Sequence, residues 1–303
     1  MDFKNKRVLV LGLGLHGGGV AVARWLCKQG AQVTVADTKS SQELAPSLHA
    51  LKGLRIRFVL GKPHTVDLLK NCDLIIKNPA VPRELPLLAQ ARKQKISIEN
   101  EASLFLKLCP SKLIIGVTGS KGKSTTTALL GVMLKQHNRK TVIAGNIRDT
   151  VLFDVLDKIS VKTPVVLELS SWQLEQVGEH RLRIPISVVT NIYPEHLNRY
   201  RGLADYTQAK SYIFKYQNSD DVLVLNADNA LSQTFIKSAK SRVYLFSLKK
   251  KVARGCYAQS GAVWWRDGGV ASQLFKFSDL KLLGEHNLAN ALAAATAAKL
   301  AGV

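Results

Sequence analysis

The sequence predicts an α/β protein with two domains, each built on a parallel β-sheet flanked by helices. Short β-branched runs such as Arg7–Leu11 and Gln32–Ala36 alternate with helical patterns along most of the chain. Two glycine-rich turns each follow an apolar strand and lead into a helix. The length of 303 residues suits about two domains of ordinary size.

The first domain is predicted to span residues 1–109, because Cys109-Pro110 ends a helical segment and breaks the pattern. Its further strands are expected at Arg57–Leu60 and Leu74–Ile76, and its later helices at Leu87–Lys93 and about Glu99–Leu108.

The second domain is predicted to span residues 110–303. Its strands are expected at Lys112–Val117, Thr141–Ala144, Val165–Leu169, Ser187–Thr190, Val222–Leu225 and Val243–Phe246. The segment Gly261–Phe277 has the pattern of a β-hairpin that turns at Asp267-Gly268-Gly269. An alanine-rich helix is expected over Asn287–Ala301.

Composition narrows the class of protein. The hydrophobic share of 46% is typical of globular structure. The apolar runs fall short of the roughly 20 residues of a membrane span, and the first residues show no signal-peptide core. We therefore expect a cytoplasmic, monomeric enzyme without a membrane partner. The four cysteines are far apart in sequence, which argues against a disulfide framework or a zinc site.

The chain is strongly basic, with a formal net charge of +21. The cations are scattered, and the longest basic run is Lys249-Lys250-Lys251. A general positive surface of this kind favours anionic, phosphate-bearing ligands over a nucleic-acid partner.

The turn before the second domain's first helix predicts an ATP site. Gly116, Gly119 and Gly122 are spaced by three, and Lys123-Ser124 follows at once. Backbone N–H groups and a helix N-terminus would converge on a triphosphate. Lys123 would neutralise the β- and γ-phosphates, and Ser124 would bind Mg²⁺. The residues of this loop expected to bind ATP are Gly116, Gly119, Ser120, Lys121, Gly122, Lys123, Ser124 and Thr125.

The first domain carries a second sequence pattern typical of phosphate binding, of the Rossmann-like type. Gly12-Leu13-Gly14-Leu15-His16-Gly17 follows the first strand, and Asp37 ends the second strand twenty residues later. A nicotinamide dinucleotide or a nucleotide diphosphate-sugar would fit this pattern equally well. An NAD-linked oxidoreductase therefore remains an alternative, although it leaves the ATP loop unexplained.

Three further residues indicate chemistry in the second domain. Glu168 ends an apolar strand, where a magnesium-ligand role is favoured over a buried ion pair. His196 follows another strand's carboxyl end, where a ligand contact and a structural role are equally compatible with the pattern. Lys210 lies in a helical pattern and by itself indicates only a solvated lysine.

These motifs together resemble the Mur ligase family, the ATP-dependent enzymes that add amino acids to the peptidoglycan precursor. The D-glutamate-adding members are the most similar. The resemblance is carried by the glycine loop at 116–124 and by Gly12–Leu15, Gly145-Asn146-Ile147, Glu168–Leu174, Asn191–Tyr200 and Gly284–Asn287. They follow one another in the family's order along the whole chain.

The resemblance implies a reaction and a set of partners. The carboxylate of UDP-N-acetylmuramoyl-L-alanine would attack the γ-phosphate of ATP, with Mg²⁺, to give an acyl phosphate. The amine of D-glutamate would then displace phosphate and form the amide. Family members carry a third, C-terminal domain, so we expect this chain to be a fragment of a longer ligase. A two-domain binding protein without turnover, or a ligase for another amino acid, remain alternatives.

The resemblance also implies roles for single residues. The UDP-precursor would contact Gly14, Leu15, His16, Asp37, Thr38, Asn78 and Asn146. Metal ligands would be Ser124, Glu168, His196 and Lys210, the last as a carbamate. Catalytic residues would be Lys123, Lys210, His196 and Asn146, and Asn287 would lie by the adenine.

The chain departs from the family pattern at five positions. Ser120-Lys121 replaces Thr-Asn, Arg148 and Ala80 each replace a glycine, and Asn198 replaces an aspartate. None of these changes removes an expected phosphate or metal ligand.

Overall fold

The computed structural model describes residues 1–138, 140–147, 150–196 and 198–303. The substitution at Arg148 therefore lies outside the described residues. The chain divides into two compact units, Met1–Cys109 with Arg148–Lys158, and Pro110–Ile147 with Ile159–Val303.

The strands are β1 (Arg7–Leu11), β2 (Gln32–Asp37), β3 (Ile56–Leu60), β4 (Leu74–Lys77), β5 (Ser97–Glu99), β6 (Ile114–Thr118), β7 (Val142–Gly145), β8 (Val165–Glu168), β9 (Ile186–Val189), β10 (Val222–Asn226), β11 (Arg242–Ser247), β12 (Arg254–Gln259), β13 (Ala262–Asp267) and β14 (Ser272–Lys276).

The helices are α1 (Gly18–Lys28), α2 (Ala45–His49), α3 (Pro86–Lys93), α4 (Glu101–Leu108), α5 (Lys123–His137), α6 (Leu152–Val155), α7 (Ser171–Glu179), α8 (Leu203–Ser211), α9 (Ala230–Gln233) and α10 (Glu285–Leu300). Short 3₁₀ helices lie at Val66–Leu69, Leu156–Lys158, Thr234–Ser238 and Phe277–Asp279. Over the ranges that the structure describes, we find no helix with both the length and the apolar character to cross a bilayer.

The first unit contains a five-stranded sheet in the order β3-β2-β1-β4-β5. Neighbouring strands in it run parallel. Its core includes Leu9 and Leu11 of β1, Ile75 of β4 and Leu88 of α3, all almost fully buried. The α/β prediction, with a Rossmann-like first sheet, is confirmed. The three-residue strand β5 was not predicted.

The segment Arg148–Lys158 corrects the predicted domain limits, which placed all of 110–303 in the second domain. Contacts assign this segment to the first unit. The physical reason is an aromatic cluster in which the Phe153 ring lies 5.2 Å from that of Trp25 and 6.5 Å from that of Phe105. The indole N–H of Trp25 also donates to Asp157 at 3.1 Å.

The second unit contains a larger sheet in the order β14-β13-β12-β11-β10-β9-β6-β8-β7. Neighbouring strands from β6 to β12 are parallel, and β13 and β14 continue the sheet from β12 as an antiparallel extension. The predicted hairpin is the β13–β14 pair, whereas β12 was not predicted. Because β6 lies between β8 and β9, its carboxyl end is the position where ligands collect in open α/β sheets.

Helices α5 and α10 pack against each other on one face of this sheet. The alanine-rich stretch 291–298 of α10 is almost completely buried beside Leu130 and Leu134 of α5. Small side chains allow this close helix packing. It places Asn290, at the first buried turn of α10, beside the N-terminus of α5.

Candidate functional site

The loop from β6 to α5 has a shape that only glycine allows at two positions. Gly122 is the N-cap of α5 with φ +81°, and a Cβ there would lie 2.1 Å from Asn290 Oδ1. A Cβ on Gly119 would lie 1.9 Å from Thr190 Oγ1. The glycines therefore let the loop close tightly over the sheet and leave the α5 N-terminus open to an anion.

Two lysine ammonium groups converge on one oxygen of this loop. Lys123 Nζ donates to Gly119 O at 3.0 Å and to Ser120 O at 2.8 Å. Lys210 Nζ, from α8, donates to the same Gly119 O at 2.7 Å. The sequence indicated only a solvated lysine at 210, yet its side chain is buried and lies over the Tyr206 ring at 4.7 Å.

Burial and like charge both disfavour the ammonium forms of this pair. Burial and, to a smaller extent, the charge of Lys123 lower the pKa of Lys210 to about 7, although the charge of Glu195 partly opposes this shift. Burial also lowers the pKa of Lys123, against the opposing charges of Glu168 and Glu195. A bound anion would favour the protonated forms of both amines.

Glu168 provides a carboxylate at the end of β8. It is 1% exposed, and its Oε1 accepts from Asn146 Nδ2 at 3.3 Å. Its Oε2 is buried without a hydrogen-bond partner among the described residues. Burial raises the pKa of Glu168, while hydrogen bonding by Ser124 and Asn146 and the charge of Lys123 lower it. A cation would satisfy the unpaired oxygen.

The protein side chains do not form a closed metal site by themselves. Within the described residues, three or more His, Cys, Asp or Glu side chains nowhere gather closely enough to hold an ion. Mg²⁺ commonly takes only one or two protein carboxylates and completes its shell with phosphate oxygens and water. The orphan oxygen of Glu168, near the hydroxyl of Ser124, fits a metal held together with a nucleotide.

His196 lies after β9 in the left-handed region, with φ +55°. Its ring is 5.2 Å from the Trp172 ring and 6.2 Å from the Tyr206 ring. Arg199 covers the Trp172 ring at 4.5 Å. The imidazole is therefore placed by aromatic packing, and Tyr206 links it to Lys210.

Two residues that the sequence gave no reason to single out connect this cluster. Glu195 Oε1 pairs with Lys121 Nζ at 2.6 Å, and Glu195 Oε2 accepts from the Tyr206 hydroxyl at 3.3 Å. Tyr206 also lies 3.0 Å from Ser120 Oγ. A tyrosine and a glutamate are common surface residues, so only the fold shows that they meet at the loop.

The other residues predicted for ATP have distinct positions. Gly116 is inside β6, where a Cβ would meet Ile184 and Ile213 at 3.1 and 3.2 Å, so the structure gives it a packing role. Ser124 is exposed and Thr125 half-buried in the first turn of α5. Asn287 Nδ2 donates to Leu283 O at 2.8 Å in the first turn of α10.

In the first unit, Asp37 organises the glycine turn. Its Oδ2 accepts from the backbone N–H groups of Leu13 and Gly14 at 2.8 and 3.2 Å, and its Oδ1 accepts from that of Lys39. Asp37 is 6% exposed. Its carboxylate is therefore committed to the backbone, whereas the sequence predicted a ligand contact.

The remaining predicted precursor contacts surround this turn. Leu15, His16 and Thr38 are exposed. Asn78 follows β4, and its Oδ1 accepts from Ala80 N–H at 3.0 Å. Asn78 also lines a small, half-open cavity of about 10 Å³ between the glycine turn and the first turn of α4. Buried Lys77 lines the same cavity and donates to Val81 O at 2.9 Å.

Models of known protein families match the sequences of both parts of the chain. Residues 117–298 match the family model of the Mur ligase middle domain. Residues 6–100 match that of the Mur ligase, MurD-like, N-terminal domain. The chain belongs to the Mur ligase family.

Three curated relatives of this Mur ligase chain share one name. The UDP-N-acetylmuramoylalanine–D-glutamate ligase of Roseiflexus sp. (strain RS-1) is 43% identical and covers 98% of this chain. The enzymes of the same name from Koribacter versatilis and Acetivibrio thermocellus are 38% and 35% identical over 97% of it. The chain spans 65%, 63% and 61% of the length of these three relatives.

Solved structures of other Mur ligases share the fold. A UDP-N-acetylmuramate:L-alanyl-gamma-D-glutamyl-meso-diaminopimelate ligase from Neisseria meningitides aligns with TM-score 0.66 and 17% identity, over 99% of this chain and 94% of that chain. The UDP-N-acetylmuramate-alanine ligase of Thermotoga maritima aligns with TM-score 0.57 and 25% identity, over 98% of this chain and 65% of that one.

The substitutions in this Mur ligase chain keep the loop intact. Ser120 Oγ accepts from Tyr193 N–H at 2.9 Å and donates to Tyr193 O at 3.1 Å. Ala80 takes part in a turn closed by Asn78, and Asn198 is exposed. Lys121 forms an ion pair with Glu195.

Proposed function

We propose that this chain contributes the precursor-binding and ATP-binding parts of an ATP-dependent ligase that adds D-glutamate to UDP-N-acetylmuramoyl-L-alanine. The observation that carries the proposal is the cluster at the carboxyl ends of β6 and β8. Lys123 and Lys210 share the oxygen of Gly119, while Glu168 Oε2 has no partner among the described residues.

A triphosphate would complete this cluster. It would accept the hydrogen bonds that Lys123 now makes to loop carbonyls, as well as those of the α5 N-terminal N–H groups. The positive charge of Lys123 would then stabilise the negative charge that develops on the transferred phosphoryl group. Asn287 would contact the adenine.

Mg²⁺ would be held by Glu168 and the Ser124 hydroxyl, with His196 and a carbamate on Lys210 as further ligands. Bound there, the metal would supply charge neutralisation to the phosphates. The protein contributes the position of these ligands, because Glu168 is fixed at a strand end and by Asn146.

We assign precursor binding to the first unit. The exposed side chains of Leu15, His16 and Thr38 surround the turn that Asp37 holds, and Asn78 faces the adjacent cavity. They suit a nucleotide with an attached diphosphate. Asn146 would contact the precursor near its reacting carboxylate.

The names of the relatives support D-glutamate as the incoming amino acid. The precursor's carboxylate would attack the γ-phosphate, and D-glutamate's amine would displace phosphate from the acyl phosphate. A cytoplasmic location belongs to the proposal, because ATP and UDP-linked precursors are compounds of the cytoplasm.

Calorimetric titration with UDP-N-acetylmuramoyl-L-alanine tests the proposal, with UDP-N-acetylmuramate and NAD as comparators. We expect preferential binding of the alanyl precursor. Binding of NAD alone would support an oxidoreductase and refute the proposal.

A second measurement separates a ligase from a binding protein. We expect the 303-residue chain to bind precursor and ATP without D-glutamate-dependent phosphate release. We expect the same assay on the full-length coding product to show that release. Precursor binding without release by either would favour a binding protein.

A further inference from the structure

Glu195 is a carboxylate that lies beside the nucleotide loop and forms an ion pair with a lysine of that loop. Its Oε1 is 2.6 Å from Lys121 Nζ, and its Oε2 accepts from the Tyr206 hydroxyl at 3.3 Å. The Lys121 side chain is 73% exposed, whereas that of Glu195 is 23% exposed. The carboxylate thus has two contacts and is partly buried, whereas the ammonium group is the more solvent-exposed partner.

The Lys121 backbone does not depend on this ion pair. Its N–H donates to Asn191 Oδ1 at 2.9 Å, and its carbonyl accepts from Thr190 Oγ1 at 2.7 Å and Asn191 Nδ2 at 3.0 Å. Side-chain rotation can therefore carry the ammonium group away from Glu195 while the loop keeps its shape.

The charges around the loop make Glu195 its main accessible anion. Lys121, Lys123 and Lys210 lie there, and the charges of Lys121 and Glu195 both act on Lys123. Glu168 is the other carboxylate, and it is almost fully buried. A bound triphosphate would bring several negative charges into this region and would compete with Glu195 for the cations.

We propose that Glu195 is the resident counter-anion of the nucleotide-free loop and that Lys121 exchanges it for the terminal phosphate of ATP. This inference rests on the proposed function, because it requires that the loop bind ATP. The Lys121–Glu195 pair would then discriminate between ATP and ADP, because ADP lacks the terminal phosphate that would attract Lys121.

The test is calorimetric titration of the whole chain with ATP and with ADP, each with Mg²⁺, at fixed ionic strength. Lys121→Asn should weaken ATP binding about tenfold and ADP binding by less than about threefold, because a charged hydrogen bond is lost only with ATP. Glu195→Gln keeps the contact to Tyr206 and should strengthen ATP binding several-fold.

The double variant distinguishes exchange from simple charge repulsion. In the Lys121→Asn background, Glu195→Gln should no longer change the ATP-to-ADP affinity ratio, because the competition needs both partners. Lys28→Asn is the matched control. It breaks an exposed pair of similar length, with Asp157 at 2.9 Å in the first unit, and should leave both affinities unchanged.

The outcomes distinguish failure of the proposed exchange from failure of the proposed ATP-binding function. Equal losses of ATP and ADP affinity in Lys121→Asn, or weaker ATP binding in Glu195→Gln, would overturn the exchange while leaving the ATP site intact. A wild-type chain that binds neither nucleotide would overturn the proposed function itself. Circular dichroism of each variant checks that the fold is retained.

Discussion

At the scale of single residues, Lys210 combines burial with a position at the nucleotide loop. It is 2% exposed and donates to a carbonyl that Lys123 also uses. Its pKa of about 7 lies far below the ordinary 10.5. Between these values the unfolded chain binds the proton and the folded chain does not, so this residue makes stability rise with pH across that window.

The low pKa predicts that Lys210 reacts with dissolved CO₂. Only a neutral amine adds to CO₂, forming a carbamate and releasing a proton. In ¹³C-bicarbonate, NMR should show a carbamate signal that grows as pH rises from about 6 to 8, because the neutral fraction increases through pH 7.

Lys210→Met is the control for this signal. It should abolish the carbamate resonance while the fold persists by circular dichroism. A signal that survives in Lys210→Met, or no signal in the wild type at pH 8, would count against the carbamate.

Gly122→Ala should damage the nucleotide loop. An alanine there would have to adopt the left-handed backbone conformation, and its Cβ would lie 2.1 Å from Asn290 Oδ1. We expect the free energy of unfolding to fall by more than the roughly 1–2 kcal/mol of left-handed strain alone, with loss of ATP affinity. Chemical denaturation and calorimetry measure the two effects.

Gly261→Ala isolates the strain from the clash. Gly261 has φ +72°, but a Cβ there has nothing within 4 Å. It should cost only the strain and leave ATP binding unchanged. Equal destabilisation in the two variants would show that the contact with Asn290 is unimportant.

Sequence reasoning pointed to those residues of the candidate site that lie in local motifs. Lys123, Ser124 and Glu168 could be found because their spacing around a strand end carries chemical meaning. Glu195 and Tyr206 could not, because their importance depends on distant segments meeting. Asp37 was found, but its carboxylate contacts backbone N–H groups that a sequence pattern does not reveal.

At the scale of elements, the segment Arg148–Lys158 shows how tertiary packing decides which unit a stretch joins. Its sequence has no strong periodicity, so a boundary drawn from motifs placed it with its neighbours in the chain. Strands β5 and β12 were missed for related reasons. β5 has only three residues, and β12 contains a glycine within a weakly alternating pattern.

Phe153→Ala should destabilise the first unit. The ring is 4% exposed and packs on Trp25 and Phe105. Removing a buried aromatic ring typically costs about 3–5 kcal/mol. Hydrogen exchange followed by mass spectrometry should show faster exchange in peptides of α1 and α4.

Asp154→Ala is the neighbouring control. Its ion pair with Arg24 is exposed, at 3.5 Å, so we expect a change within about 0.5 kcal/mol. If Phe153→Ala were equally mild, the segment would not be part of the first unit's core.

At the scale of the whole molecule, the two units should respond to different ligands. The precursor should slow hydrogen exchange at residues 13–17, 37–39 and 78–81, and Mg·ATP at 119–126 and 190–196. These are the segments that line the two candidate sites. Protection of the same segments by either ligand would contradict the assignment of one ligand to each unit.

The close packing of Asn290 against Gly122 also has a consequence for biosynthesis. The loop leaves the ribosome early, but α10, which contains Asn290, is synthesised some 170 residues later. Domains generally fold as units during translation. A nascent chain that ends before α10 therefore contains every glycine and lysine of the loop. It lacks Asn290 and the helix that packs against the loop. ATP affinity should appear only when translation has passed residue 290.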